Sequence, residues 1–120
     1  MGKKTLVMGA SEHTERYSNL ATNRLVQKGH EVVALGKIPG HINGVTIETD
    51  KQPFTDIDTV TLYLNPRNQK QYYDYILSLN PKRVIFNPGA ENEELEELLE
   101  EKGIKAQEAC TLVLLSTGQY

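Results

Sequence analysis

Thr5-Leu6-Val7-Met8-Gly9-Ala10-Ser11 is a short apolar run that closes on glycine, alanine and serine, and a polar stretch then leads to a helical pattern near Ser18. A buried first strand that ends in glycine just ahead of a helix gathers bare amide N–H groups and a helix dipole at one point, and that point favours a phosphate. The spacing is not the dinucleotide fingerprint, because no further glycine follows Gly9 until Gly29. The opening therefore reads as nucleotide-binding without the signature of a standard dehydrogenase.

Outward from that stretch, short strand-like runs alternate with segments of helical period, which predicts repeated βα units and a parallel sheet. Strand one spans Lys4 to Gly9. A first helix takes Ser18 as its N-cap, turns Leu20, Ala21 and Leu25 inward and stops at Gly29, where a left-handed residue costs no Cβ clash. Strand two is Glu31 to Gly36. Residues 37–58 carry Pro39, Gly40, Gly44 and Pro53 and read as a loop holding at most one short strand or helical turn. Strand three is Thr59 to Leu64, and the next helix uses Tyr72, Ile76 and Leu79 as its apolar stripe before Pro81 ends it. Strand four is Arg83 to Phe86. A glutamate-rich helix follows, with Leu95, Leu98 and Leu99 on one face, acids in its first turn and Lys102-Gly103 at its end. Ile104 to Gln107 is strand five, and the closing segment, Leu112 to Leu115, fits a short helix or a sixth strand equally well. The expected fold is a three-layer, doubly wound, Rossmann-like α/β domain whose five-stranded parallel sheet has the order 3-2-1-4-5.

The 120 residues suit one domain over 1–120 with one core. Hydrophobic residues at 38% and charged residues at 24% describe an ordinary globular chain, and no apolar run approaches the roughly 20 residues that span a bilayer. Met1-Gly2-Lys3-Lys4 leads into only a short apolar strand with no small-residue cleavage site, unlike a secretory signal. One cysteine, Cys110, excludes an internal disulfide and any multi-cysteine zinc site, and suits the cytoplasm. The net charge of −3 conceals an asymmetry: Glu91 to Lys102 holds seven of the 16 acids, and the remainder carries 12 bases against 9 acids. That modest positive surplus fits a small anionic ligand, whereas nucleic acid would call for clustered bases with interleaved aromatics.

Ligands of doubly wound sheets lie over the carboxyl ends of the strands, where the strand order reverses. The tips there read Gly9-Ala10-Ser11, Gly36-Lys37, Asn65-Pro66-Arg67, Asn87-Pro88-Gly89-Ala90 and Ala109-Cys110-Thr111. Two near-identical Asn-Pro turns offer rigid backbone that can press close to an extended ligand. Where NAD-binding domains place an acid to accept from the ribose hydroxyls, this chain has Leu35-Gly36-Lys37, and a cation there suits a phosphorylated ribose. Other tempting residues are discounted. Cys110 has no histidine in its local sequence and reads as a packing residue rather than a nucleophile; His13 reads as a surface histidine, and His30 and His41 lack metal-ligand spacing. The acidic run reads as a solvated helix face.

Taken together, these residues resemble the small stand-alone CoA-binding domain proteins, whose fold is similar to the CoA-binding domain of succinyl-CoA synthetase α subunits. The resemblance spans nearly the whole chain: GAS at Gly9 to Ser11 with Arg16-Tyr17-Ser18-Asn19 after it, LYLNPR at Leu62 to Arg67, FNPGAENEEL at Phe86 to Leu95, and EACTLVLLSTGQ at Glu108 to Gln119. It implies that coenzyme A or an acyl-CoA is the ligand, with the diphosphate against Gly9, Ala10, Ser11 and the helix at Arg16, Tyr17 and Ser18. It places the adenosine part near Gly36 and Lys37. The pantetheine arm would pass Leu64, Asn65, Pro66 and Arg67, then Asn87, Pro88, Gly89 and Ala90, with Cys110 at the neighbouring tip. No catalytic constellation is evident, so the expectation is a non-catalytic module without metal, nucleic-acid or membrane partner. The alternative is an NADP-dependent oxidoreductase or other nucleotide-dependent enzyme, with Glu91 its only acid/base candidate.

Overall fold

The computed structural model describes residues 2–120. In chain order the elements are β1 (Thr5–Met8), α1 (Tyr17–Gln27), β2 (Val32–Leu35), β3 (Gly40–Ile42), β4 (Val45–Glu48), β5 (Thr59–Leu62), α2 (Pro66–Gln69), a 3-10 turn (Lys70–Tyr72), α3 (Tyr73–Leu79), β6 (Arg83–Phe86), α4 (Glu93–Glu101), β7 (Lys105–Glu108) and α5 (Thr111–Ser116). They build one seven-stranded sheet in the order β3-β4-β2-β1-β5-β6-β7. Every pairing is parallel except β3 with β4.

This sheet corrects the expected five parallel strands. The stretch read as a loop contains a hairpin in which Ile42 pairs with Val45 across Asn43-Gly44, both at positive φ (49° and 83°). Such a two-residue turn matches the right-handed twist of the flanking strands, and Asn-Gly is its preferred sequence. The return strand β4 then pairs with β2 through Ala34 and Leu35. It is therefore β4, not Thr59 to Leu64, that stands third in the parallel series, and the six parallel strands follow 3-2-1-4-5-6 with an antiparallel edge strand added. The strands numbered three to five from the sequence are the fourth, fifth and sixth.

The sheet is buried on both faces. Along β1, side chains alternate: Leu6 and Met8 join Val60, Leu62, Ile76, Phe86, Leu95 and Leu99 on the side of α3 and α4, while Val7 joins Leu25, Ala34, Ile47 and Leu115 on the side of α1 and α5. Each fully buried aliphatic chain of this kind stabilises the fold by about 1.5–3 kcal/mol. β7, Lys105 to Glu108, contains no fully buried residue, as an edge strand tolerates.

Helix limits follow local chemistry, with one correction. Arg16, not Ser18, is the N-cap of α1; Ser18 is buried one residue inside the helix, and Leu20 points outward while Ala21 and Leu25 are buried. The helix ends as expected at Gly29, φ +86°, with the Gly29 amide donating to Val26 O and the His30 amide to Leu25 O. Asn65 caps α2 and Pro66 takes its first position; Asn92 caps α4, whose first turn carries Glu93, Glu94 and Glu96. The closing segment is a helix, α5. Among the described residues no helix is long and apolar enough to cross a membrane.

Candidate functional site

The parallel strands diverge from β1, the earlier ones continuing through β2 to β4 and the later ones through β5 to β7. At that switch point a cleft of about 620 Å³ opens over the carboxyl ends of β1, β2 and β5. Its size lies within the roughly 300–1,000 Å³ of small-molecule sites. Of the residues singled out from the sequence, Gly9, Ala10, Ser11, Arg16, Gly36, Lys37, Leu64 and Asn65 line it. Met8, Glu12, His13, Leu35, Ile38, Pro39, Thr49, Tyr63, Asn68, Gln71 and Tyr72 complete the lining.

The floor is backbone packed on backbone. A Cβ on Gly36 would overlap the Ala10 carbonyl oxygen, and one on Gly9, itself at φ +91°, would lie 3.1 Å from the Tyr63 carbonyl carbon. Only glycine allows the three strand tips to converge this closely. The same closeness consumes two of the amides expected to face a ligand: Gly9 N and Ala10 N both donate to Leu35 O at 3.0 Å. The amides of Ser11 and Glu12 in the loop, and of Tyr17 and Ser18 at the start of α1, have no internal partner among the described residues. That helix start has neither a side-chain cap nor an acid in its first turn. Its positive dipole end is therefore uncompensated.

Polar side chains form the rim of the cleft. Ser11 Oγ accepts from His13 N at 3.1 Å and keeps its hydroxyl proton free to donate, while Asn19 Nδ2 donates to Ser11 O at 2.9 Å and ties the loop to α1. Arg16 and Lys37 are exposed and make no ion pair among the described residues. Glu12 is the one carboxylate in the lining. Beneath, burial pushes the Tyr63 phenol up to about 12, and its hydroxyl lies near Thr61 and Thr111 without hydrogen-bond geometry to either. A phenol held that high stays neutral near pH 7 and is a poor base.

The remaining predicted site residues do not line this cleft. Tyr17 is 70% exposed at the start of α1, and Ser18 is buried. Pro66 opens α2 and Arg67 stands exposed on it. The two Asn-Pro turns, alike in sequence, do different work. Asn65 Oδ1 caps α2 by accepting from Asn68 N at 2.9 Å. Asn87 is buried: its Nδ2 donates to Thr61 Oγ1 at 2.7 Å and Leu62 O at 2.9 Å, and its Oδ1 accepts from Thr111 N at 2.8 Å. Pro88 and Gly89 are exposed beside it, Ala90 is buried, and Cys110 is half-buried as the N-cap residue of α5. Sequence reasoning missed Gln69, which is fully buried; its Nε2 donates to Leu64 O and Ala90 O at 2.8 and 2.7 Å, and its Oε1 accepts from Asn92 Nδ2 at 2.8 Å. Recognising Asn65-Pro66 as a cap and first helical position would have revealed α2, and with it Asn68 and Gln71 at the cleft. Among the described residues no three His, Cys, Asp or Glu side chains gather as a metal site.

Sheet order and cleft together describe an α/β protein with a mixed seven-stranded sheet and a cleft at the switch point of its parallel strands. The chain belongs to the family described as the CoA binding domain, whose model matches residues 3–116. A solved crystal structure of an uncharacterized protein is 53% identical, with a TM-score of 0.97 over 100% of this chain and 99% of that one. A conserved hypothetical protein from Pyrococcus furiosus is 25% identical, TM-score 0.80, over 92% of this chain and 97% of its own. A structure from Thermus thermophilus, 20% identical with a TM-score of 0.83, covers 99% of this chain and 91% of that one and speaks to the fold alone. Among curated proteins none matches.

Proposed function

We propose that this protein holds coenzyme A or an acyl-CoA in the switch-point cleft, with the diphosphate at the loop after β1, and leaves it chemically unchanged. The observation that carries the reading is the meeting, at one cleft, of the unpartnered Ser11 and Glu12 amides with the exposed, unpaired Arg16 and Lys37 side chains, Arg16 being also the residue from which the uncapped helix α1 starts. Charge-assisted donors of this kind suit phosphate oxygens. Lys37 stands where an adenosine ribose would lie and offers a partner to its phosphate. The pantetheine arm leaves past Leu64 and Asn65 toward exposed Pro88 and Gly89 on the neighbouring strand tip. The lone cysteine suits a cytoplasmic setting.

Thermal shift and calorimetry with CoA test this. A ligand at 100 times its dissociation constant stabilises a fold by about 2.7 kcal/mol. CoA should raise the melting temperature and titrate to one site. No heat at millimolar CoA would overturn the reading, and a shift with NADP but not CoA would favour an oxidoreductase instead.

A further inference from the structure

Glu12 is out of place in a cleft that receives an anion. It is the only acid in the lining, which it shares with Arg16 and Lys37, and repulsion from a polyanionic ligand is the obvious consequence. Its carboxylate, although exposed, is held in place. Oε2 accepts from His41 N at 2.8 Å, across 29 residues of chain. The side chain lies flat on the first residue of β3: a Cβ on Gly40 would meet Glu12 Cγ at 2.6 Å. The loop after β1 is thus joined to the far end of the loop after β2, which carries Lys37, Ile38 and Pro39 along the cleft wall. Among the described residues no other side-chain hydrogen bond ties these two loops together.

We propose that Glu12 is a positioning residue: by clasping the His41 amide over Gly40 it braces the Lys37 loop, and that preorganisation outweighs its own repulsion of the bound anion. The inference rests on the coenzyme reading of the cleft for its effect on affinity, but the brace itself belongs to the free protein. Two terms of opposite sign are involved, and substitution can separate them. Glu12→Gln keeps an oxygen acceptor for His41 N and removes the charge. Glu12→Ala removes both. Gly40→Ala keeps the charge and drives the carboxylate off the strand.

Calorimetry with CoA in low and high salt, and amide exchange of His41 by NMR without ligand, test the proposal. Removing one unfavourable charge in a near-aqueous dielectric is roughly a two- to five-fold effect, so Glu12→Gln should bind CoA that much more tightly at low salt and like the parent at high salt. Glu12→Ala and Gly40→Ala should bind roughly three-fold or more weakly at either salt, because the loop must then be ordered on binding. His41 exchange should remain slow in Glu12→Gln and become fast in Glu12→Ala and Gly40→Ala. Equal tightening by Glu12→Gln and Glu12→Ala would overturn the proposal, as would unchanged His41 exchange in Glu12→Ala. Absence of CoA binding by the parent, with His41 exchange behaving as described, would defeat the coenzyme reading and leave the brace standing.

Discussion

Replacing Asn87 by alanine separates a structural residue from a ligand contact. Asn87 is 2% exposed and makes three hydrogen bonds, to Thr61 Oγ1, Leu62 O and from Thr111 N. They join β5, β6 and the start of α5, so one side chain fixes three elements. Thr61 Oγ1 keeps a second partner in Thr111 Oγ1 at 2.8 Å, but the Thr111 amide loses the acceptor it has. At about 1 kcal/mol net for each of the three bonds, with a further 1–3 kcal/mol for the Thr111 amide left buried and unpaired, the loss should be about 4–6 kcal/mol. For a chain of this size that lowers Tm by about 10 °C or more. Urea denaturation monitored by circular dichroism gives the free energy, and calorimetry at a temperature where the variant is folded gives CoA affinity. The expected result is a large loss of stability with affinity changed less than about three-fold. A stability loss below about 1 kcal/mol together with abolished CoA binding would show that the side chain serves the ligand, and would refute the reasoning.

Gly36→Ala should destabilise by about 2–4 kcal/mol in the same denaturation assay, because the new Cβ meets the Ala10 carbonyl and neither backbone can yield cheaply. Lys37→Ala should weaken CoA more than dephospho-CoA in parallel titrations, since a lost phosphate contact matters only when that phosphate is present; equal losses would reject the assignment. Glu96 is raised from 4.5 to about 7, first by burial and then by the facing Glu108 carboxyl. The folded state therefore holds a proton that the unfolded chain gives up, and this stabilisation is complete below about pH 4.5 and lost as pH rises through about 7. Stability should fall from acid to mildly alkaline pH in the parent and fall less in Glu96→Gln; identical pH profiles would contradict the pairing.

The strands that pair within the sheet's middle were legible because burial on both faces demands continuous apolar runs, as in Thr5 to Met8 and Arg83 to Phe86. The edge was harder. β3 and β4 are short and interrupted by turn residues, and the Asn43-Gly44 signal was present but outweighed by the surrounding prolines and glycines. Leu20 looks apolar and inward on a helical wheel, yet it is 39% exposed because the buried face of α1 is the i, i+3, i+4, i+7 set Ser18, Ala21, Thr22 and Leu25, and position 20 is turned away from it. In the cleft, positions at the ends of β1, β2 and β5 were readable, whereas Thr49, Gln71 and Tyr72 reach it only because the fold brings the segments after β4 and α2 beside those ends.

By itself the sequence determined the βα alternation, the glycine-ended first strand and the cation after the second, since these depend on local periodicity and on which residue types a turn or helix end admits. Tertiary structure decided which strand stands beside which, which amides remain free and which of two identical Asn-Pro turns is a cap and which a buried hub. Those outcomes depend on hydrogen-bond partners tens of residues away, such as Leu35 for Gly9 and Thr111 for Asn87, and local sequence carries no record of a partner that only packing brings within 3 Å.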